Sequence, residues 1–305
     1  MMINFNQQPL FLAPLAGLSD PPFRSLIKRH GCDVTISEMI SANALIYENA
    51  KTLKMLEKSP LESPYIVQLE ASDESILARA VAVLNEINGI SGIDLNCGCP
   101  VPKVIKQGAG SALLKEPKKL CKLIETIKKT STKSYTSAKL RLGFDSVVLP
   151  SFVRDIQNAG ADYICVHART RSGGFSTPPL FEILGELKTL SNIPIIANGS
   201  IDEKNYKEIL NISRADGLMI GRASIGSPWI FNILKGQNPP NAQQKKQIIK
   251  EHFELVCGHY GEFGASIFRK HLHEYSKNMR GASEFRTAVN SANNEQTTKL
   301  IQEFF

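Results

Sequence analysis

The residue with the clearest capacity for chemistry in this chain is Cys99. It lies between Gly98 and Pro100, directly after a short apolar run, in a turn that glycine and proline make rigid. A metal-binding pair with Cys97 is the alternative, but the sequence places no second Cys or His pair at ligand spacing beside it. We therefore expect a reactive thiol and no metal.

Further polar side chains end other apolar runs. Lys139 and Arg141 lie within one such run, where a buried cation needs an anion or a polar partner. Any one of these residues can be an ordinary polar group at the rim of a core. Six runs that end this way together indicate a shared site. The remaining members are Gln68, Asn96, His167, Arg169, Asn198, Gly199, Gly221 and Arg222.

The elements that must position these residues recur regularly. Eight short β-rich runs begin at residues 11, 33, 65, 92, 137, 163, 194 and 217, with helical patterns between most of them. Apolar strands that alternate with amphipathic helices indicate a parallel sheet covered by helices. Eight units predict a closed (β/α)8 TIM barrel, whose active sites lie at the carboxyl ends of the strands. A doubly wound open sheet is the alternative.

Local signals place several helix starts. Asp20 and Asp73 are predicted N-caps, and Asp202 is predicted to cap a helix from Glu203 to about Leu210. The loops ANGSI and IGRAS follow the last two predicted strands, where glycine lets backbone N–H groups approach a ligand. In barrels this is the usual phosphate site, so a phosphate-bearing cofactor is expected there.

Composition changes after about residue 235. The segment KGQNPPNAQQ has the content of a linker, and residues 243–305 contain helical spacing and no good strand. We predict a barrel domain over 1–235 and a small C-terminal all-helical domain of three or four helices over 241–305. Trp229 is expected to pack between them.

The overall composition restricts the classes of protein to which the chain can belong. The 305 residues are 42% hydrophobic and 21% charged, typical of a globular protein. The sequence shows no secretory signal and no run long enough to span a membrane, and its six scattered cysteines are typical of reduced thiols. A cytoplasmic location is expected. No obligate protein partner is evident.

The charge is uneven. The net charge is +7, and residues 103–139 hold ten lysines against two glutamates. This segment is either a solvated helix face or a surface for a polyanion, since contacts with phosphates release counterions.

Motifs in order along nearly the whole chain resemble the tRNA-dihydrouridine synthases, and among them the bacterial B-type subgroup. The most specific is the GCP-x-x-K-V pattern of DLNCGCPVPKV at 94–104. The others are APLAGLSDPPFR (13–24), KLRLG (139–143), VHARTR (166–171), ANGSI (197–201), MIGRASIGSPWIF (219–231) and the tail segment RKHLHEYSKNMRGASEFRTAVN (269–290).

The resemblance implies a flavoenzyme that reduces the C5–C6 double bond of particular uridines in tRNA, with NADPH as the electron source. It implies that Cys99 donates a proton. FMN is expected on Pro14, Leu15, Ala16, Gln68, Lys139 and His167, with its phosphate on Asn198, Gly199, Ser200, Gly221 and Arg222. Asn96, Arg141 and Arg169 are expected near the base.

The implied chemistry is consistent with these residue types. Hydride addition to C6 leaves negative charge on C5 and the carbonyl oxygen, so a general acid must protonate C5. A protonated thiol can do this, which argues against a low-pKa nucleophilic Cys99. Lys139 would favour the anionic reduced flavin. A stacked uridine must swing out to reach the barrel, and a position in the D-loop is expected.

If the chain acts on tRNA, basic residues of the tail are candidates for binding it. Arg269, Lys270, Lys277, Arg280 and Arg286 are expected to grip the tRNA backbone. Two alternatives remain: an FMN-dependent reductase of a free pyrimidine or enone, and a non-catalytic tRNA-binding protein. The sequence also departs from the family pattern, with Leu15 where Met is frequent, Ser200 where Asp is common, and Phe175 near a frequent Tyr.

Overall fold

A computed structural model describes residues 2–47 and 50–305. Its backbone contains nine strands, all in one sheet. The strands are β1 (Leu10–Leu12), β2 (Thr35–Ile36), β3 (Ile40–Ser41), β4 (Tyr65–Glu70), β5 (Gly92–Cys97), β6 (Tyr135–Arg141), β7 (Tyr163–His167), β8 (Ile195–Asn198) and β9 (Gly217–Ile220).

The sheet closes on itself. Neighbouring strands are parallel and follow the order β1, β9, β8, β7, β6, β5, β4, β2, and a bridge between Phe11 and Val34 joins the two ends. The eight predicted strands therefore form a TIM barrel, and the open-sheet alternative is wrong. Strand β3 is an addition that the sequence did not predict, a two-residue extension paired with the end of β4.

Helices cover the barrel and continue beyond it. Those of the barrel are α1 (Pro21–Arg29), α2 (Ala42–Ile46), α3 (Ala50–Met55), α4 (Glu74–Asn85), α5 (Pro102–Lys106), α6 (Pro117–Thr130), α7 (Val153–Asn158), α8 (Phe181–Leu190), α9 (Tyr206–Ser213) and α10 (Ile230–Leu234). The tail contains α11 (Ala242–Tyr260), α12 (Gly264–Tyr275), α13 (Ala282–Ser291) and α14 (Asn294–Phe304). In the part of the chain that the structure describes, none of the helices is both long and apolar enough to cross a bilayer.

Capping chemistry sets two of the predicted starts correctly and one incorrectly. Asp20 accepts a hydrogen bond from the Phe23 N–H, and Asp73 caps α4 in the same way. The helix predicted from Glu203 begins three residues later, at Tyr206. Asp202 instead accepts from the N–H groups of Lys204 and Asn205 and closes a turn before the helix.

Two apolar clusters stabilise the barrel. One lies between the strands and the surrounding helices and includes the buried leucines and isoleucines of α4, α6 and α8. The other fills the lumen at the amino-terminal ends of the strands; we call it the floor cluster. Its buried members are Ile3, Phe11, Ala13, Val34, Ile36, Ile66, Tyr135, Tyr163, Cys165, Ile196 and Met219.

The tail has an apolar cluster of its own that reaches the barrel through α1. Phe23 of α1 lies 5.4 Å from the ring of His252 and 5.3 Å from that of His271, measured between centroids. Trp229 is buried and stacks on Tyr275 at 6.4 Å. Trp229 therefore packs between barrel and tail, as predicted.

The tail also lies beside loops at the carboxyl ends of the strands. Tyr260 donates a hydrogen bond to Asp20 at 3.1 Å, in the turn after β1. A Cβ atom on Gly226, which follows β9, would lie 2.9 Å from the backbone of Glu274 in α12. This close approach requires glycine and fixes the tail at one side of the barrel opening.

Candidate active site

The register of the strands brings the predicted residues to one end of the barrel, which we call the mouth. Asn96 lies opposite Lys139, Arg141 opposite His167, and His167 opposite Asn198. All of these residues lie at or near the carboxyl ends of their strands, and the amino-terminal ends of the same strands face the floor cluster. The mouth is therefore lined by polar groups from four consecutive strands, β5 to β8.

Cys99 lies in a constrained loop at this mouth. Its N–H donates to Asn96 Oδ1 at 2.9 Å, and its carbonyl accepts from the N–H of Ser111 at 3.0 Å. Gly110 has φ +59°, and a Cβ there would lie 2.9 Å from the Cys99 carbonyl oxygen. The thiol itself is half-buried. Both sides of the cysteine are thus held by backbone contacts while the side chain stays accessible.

Gln68 is the predicted residue whose position differs most from the expectation. Its side chain is completely buried. The amide lies between Asp94 and Asn96, at 2.8 Å from each. The Gln68 amide therefore joins Asp94 to Asn96 and orients the Asn96 side chain.

Lys139 is anchored across the lumen. Its Nζ donates to Asn198 Oδ1 at 3.1 Å, and the Asn198 amide donates to the carbonyl of Met219 at 2.8 Å. Burial lowers the pKa of Lys139. The two residues form one unit, because Asn198 can orient the ammonium only while its own amide is held by β9.

The two predicted substrate arginines are held by backbone carbonyls. Arg141 donates from Nε to the Gly98 carbonyl at 2.9 Å and from Nη1 to Thr170 at 3.0 Å. Arg169 donates from Nε to the Thr177 carbonyl at 2.5 Å and from Nη2 to the hydroxyl of Ser200 at 3.1 Å. Its buried Nη1 has no hydrogen-bond partner among the described residues. Among the described residues, both guanidinium groups are held by neutral oxygen atoms and neither pairs with a carboxylate.

His167 lies among these cations. Burial and the neighbouring charges of Lys139, Arg141, Arg169 and Arg222 lower the pKa of His167 to about 2. The imidazole is therefore neutral, and its buried Nδ1 lacks a partner within the described part of the chain. A neutral donor or acceptor among positive charges is suited to a ligand that is anionic or rich in carbonyl groups.

The loops after β8 and β9 expose backbone donors. Gly199 has φ +127° and Ser200 has φ +51°. In the described residues, no protein hydrogen bond uses the N–H groups of Gly199, Ser200, Arg222 or Ala223. Together with the exposed Arg222 side chain they form a concave donor set that fits an anion such as phosphate.

The turn after β1 borders this donor set. Pro14 and Leu15 are half-buried and Ala16 is exposed, so all three have surface at the mouth. The Leu15 N–H is held by the Ser19 hydroxyl at 2.8 Å. A Cβ on Gly221 would lie 3.6 Å from that of Ala13, an ordinary contact, so the protein itself leaves room there.

Some residues of the site were not in the predicted set. Asp94 is completely buried beneath the mouth, and only the alternation along β5 with Asn96 could have indicated it. The ring of Phe175 lies 4.3 Å from the Arg222 guanidinium and 5.9 Å from the His167 ring, measured to its centroid. Ala223 contributes one of the free N–H groups. Over residues 2–47 and 50–305, no cluster of three or more His, Cys, Asp or Glu side chains is placed to hold a metal ion.

Comparison with known proteins gives the family. The profile of the dihydrouridine synthases matches residues 11–304. A probable tRNA-dihydrouridine synthase of Helicobacter pylori is 44% identical over 304 residues, which cover 98% of this chain and 93% of that protein. The tRNA-dihydrouridine synthase B of Pseudomonas syringae pv. tomato is 33% identical, over 97% of this chain and 91% of its own. The chain belongs to the dihydrouridine synthase family.

Solved structures agree on the fold. The old yellow enzyme from Trypanosoma cruzi superposes with a TM-score of 0.56 at 8% identity, over 77% of this chain and 91% of that one. An old yellow enzyme homologue from Zymomonas mobilis gives a TM-score of 0.52 at 10% identity, over 79% and 92% of the two chains. At such low identity the likeness establishes the barrel alone.

Proposed function

We propose that this enzyme reduces uridine in the D-loop of tRNA to dihydrouridine, with FMN as its cofactor. The observation that carries the proposal is the mouth itself: an accessible cysteine on a fixed loop, beside four cationic side chains and a set of free backbone donors. Membership of the family and the names of its relatives support the same reaction.

The residues at the mouth fit FMN. The free N–H groups of Gly199, Ser200 and Arg222, with Gly221 at their side, would hold the phosphate. Lys139 and His167, with Asn198 behind the lysine, would face the ring carbonyls and nitrogens, and Pro14, Leu15 and Ala16 would border the ring. When bound, reduced FMN supplies the hydride that adds to C6 of the uracil.

The chain itself supplies the second hydrogen. Hydride addition at C6 places negative charge on C5 and on the conjugated carbonyl oxygen. In the proposed step the Cys99 thiol gives its proton to C5, so a C–H bond forms and an S–H bond breaks. The hydrogen bonds on either side of Cys99 fix its backbone, and a fixed donor loses less entropy on reaching the transition state.

Asn96, Arg141 and Arg169 would receive the base. Arg141 is tied to the Cys99 loop through the Gly98 carbonyl, and Arg169 to Ser200 at the phosphate loop. The unpaired Nη1 of Arg169 can meet a carbonyl oxygen or a backbone phosphate. A uridine that reaches them must leave its stack in the tRNA.

The tail would bind the tRNA beside the mouth, over residues 241–305. Lys277 and Arg280 are exposed, and Lys270 reaches to within 3.8 Å of where a Cβ on Gly17 would lie, at the turn after β1. Arg269 and Arg286 instead donate to backbone carbonyls inside the tail, at 3.1 and 2.9 Å, and serve its structure. We therefore assign the phosphate contacts to Lys270, Lys277 and Arg280.

The test uses purified protein, NADPH and an unmodified tRNA transcript, with mass spectrometry of digested RNA. A gain of two hydrogens at one D-loop uridine, lost in Cys99→Ala, is the expected result. Reduction of free uridine without RNA would instead favour the free-pyrimidine reductase, and tRNA binding without turnover would favour the non-catalytic alternative. NADH in place of NADPH tests the electron donor. We also propose a cytoplasmic location, in keeping with tRNA as the substrate.

A further inference from the structure

A line of polar side chains runs beneath the mouth and ends on the backbone of Cys99. Ser137 donates to Asp94 Oδ1 at 2.7 Å, and the Gln68 amide donates to Asp94 Oδ2 at 2.8 Å. Gln68 Oε1 then accepts from Asn96 Nδ2 at 2.8 Å. Asn96 Oδ1 accepts from the N–H of Cys99 at 2.9 Å. Four elements, β4, β5, β6 and the Cys99 loop, are joined in this way.

The hydrogen bonds of this line all run in one donor-to-acceptor direction, and Asp94 fixes that direction. An ionised carboxylate only accepts hydrogen bonds, so Asp94 forces Gln68 to turn its NH2 group inward and its oxygen toward Asn96. Asn96 must then offer its NH2 group to Gln68 and its oxygen to Cys99. Reversing Asn96 would leave an NH2 group facing the Cys99 N–H, and reversing Gln68 would set oxygen against oxygen at Asp94 and NH2 against NH2 at Asn96. The Ser137 hydroxyl rotates and satisfies either orientation, so it sets no direction.

We propose that Asp94 is a positioning residue that holds the Cys99 loop through the amides of Gln68 and Asn96. The assignment of a catalytic effect rests on the proposed function, whereas the loop geometry does not. Asp94 does not touch the mouth, since its side chain is completely buried. It acts on the Cys99 loop by deciding which way two neutral amides point.

The location is a costly one for a carboxylate. Burial raises the pKa of Asp94 to about 6, against the hydrogen bonds of Gln68 and Ser137 and the charge of Lys139. Cys97, Tyr163 and Cys165 lie near enough for its charge to raise their pKa values. An asparagine would fit the same space at less cost but could point either way, whereas the carboxylate fixes the direction of the amides and also lies in the field of the Lys139 ammonium.

The first experiment is Asp94→Asn, read by hydrogen exchange of the holoenzyme and by steady-state kinetics on tRNA. The variant keeps the shape but lets both amides reverse. We expect amide exchange in the segment 96–101 to rise about tenfold, the equivalent of one lost hydrogen bond. We expect kcat to fall about tenfold while KM for tRNA stays within about twofold, because a misplaced proton donor affects the chemical step.

The second experiment reverses the line on purpose. Asn96→Asp alone leaves two carboxylates facing Gln68, and exchange at 96–101 should rise. The double variant Asp94→Asn with Asn96→Asp lets Gln68 turn around, with a carboxylate again accepting from the Cys99 N–H. Exchange should return to the wild-type rate, although turnover is not expected to recover because Asn96 itself faces the base.

The matched control is Asp162→Asn. Asp162 lies just before β7, at the floor end, and accepts from the Thr136 N–H of β6 at 2.7 Å and from Lys128 of α6 at 2.7 Å. It should change neither kcat nor exchange at 96–101. The proposal is overturned if Asp94→Asn leaves exchange at 96–101 unchanged, raises it equally in all strands, or is not rescued by the double variant. A wild-type enzyme that fails to reduce tRNA would refute the proposed function, and the exchange data would still judge the role of Asp94.

Discussion

The floor and the mouth of the barrel are built from the same strands and differ in what they bury. Along β7, Tyr163 and Cys165 belong to the floor cluster, and His167 follows two residues later at the mouth. Below, aromatic and aliphatic side chains fill the lumen. Above, the same inward positions hold Lys139, Arg141 and His167, and several polar atoms have no partner in the described protein.

This difference separates stability from chemistry within one lumen. The floor gains its free energy from burying apolar surface, which needs no particular partner. The mouth gathers charges and unpaired donors whose burial is unfavourable without a ligand. A barrel can tolerate this because the floor cluster below and the cluster between strands and helices bury much apolar surface. We therefore expect substitutions in the floor to change the free energy of unfolding and substitutions at the mouth to change activity.

The largest effect is expected from Cys99→Ala. Loss of a general acid should reduce dihydrouridine formation by about 10³-fold. Bound flavin and its visible spectrum should be retained. Cys121→Ala, a half-buried cysteine on α6, is the control and should keep its activity. A Cys99→Ala enzyme with half of the wild-type rate would remove the cysteine from the mechanism.

Ile196→Ala tests the floor. Ile196 is completely buried in the floor cluster, so the cavity should lower the free energy of unfolding by about 3 kcal/mol, measured by urea denaturation. The kcat of the folded enzyme should change less than twofold, or about 0.4 kcal/mol. A large loss of kcat with little loss of stability would show that floor and mouth are not separable.

Histidine at the mouth predicts a pH dependence. The pKa of His167 is about 2 in the folded protein and about 6.5 when unfolded, so below pH 6.5 only the unfolded chain gains the proton. Stability should therefore fall with decreasing pH, by about 2 kcal/mol at pH 5 from this residue. His167→Gln should reduce the slope of unfolding free energy against pH. The slope will not vanish, because burial also lowers the pKa values of His252 and His271 in the tail.

Lys139→Met tests whether the positive charge at the mouth assists flavin reduction. Without the ammonium, reduced flavin loses a compensating charge, and we expect the rate of flavin reduction by NADPH to fall about tenfold. Stopped-flow absorbance measures it. Lys128→Met removes a lysine that pairs with Asp162 near the floor and should leave the rate unchanged. An equal effect of the two variants would contradict a specific role for Lys139.

The smallest effect is expected at the tail. Lys277→Ala and Arg280→Ala should each weaken tRNA binding by a few-fold and lower the slope of log affinity against log salt by about one. Lys299→Ala is the control: that exposed lysine pairs with Glu295 on α14 at 2.8 Å, whereas Lys277 lies 3.6 Å from Glu274, the α12 residue that contacts the loop of Gly226. If the control weakens binding as much as the other two, the tRNA contact is not confined to the face beside the mouth.

Much of the architecture was predictable because its causes are local. Asp20 and Asp73 begin helices by accepting hydrogen bonds from residues three positions ahead. Such an N-cap depends only on residues that are close in the sequence. Asp202 shows the limit. The same residue type closes a turn there, since Asn205 provides the N-cap position of α9. Competing local hydrogen bonds decided that case.

The candidate site was also predictable in part. Polar residues at strand ends predicted which side chains gather at the mouth, because parallel strands bring their carboxyl ends to one side. Their level within the mouth was not predictable. Gln68 lies fully buried between Asp94 and Asn96, and Arg269 and Arg286 bind the tail's own carbonyls rather than facing outward.

The sequence alone determined eight strand–helix units, their order, and the motifs that each strand carries to the mouth, because periodicity and turn residues act over a few positions. Only the tertiary structure decided the direction of the Asp94 line, the neutral state of His167 and the position of the tail beside the mouth. Those depend on strand register, burial and contacts between residues far apart in the chain, and they exist only once the barrel has closed.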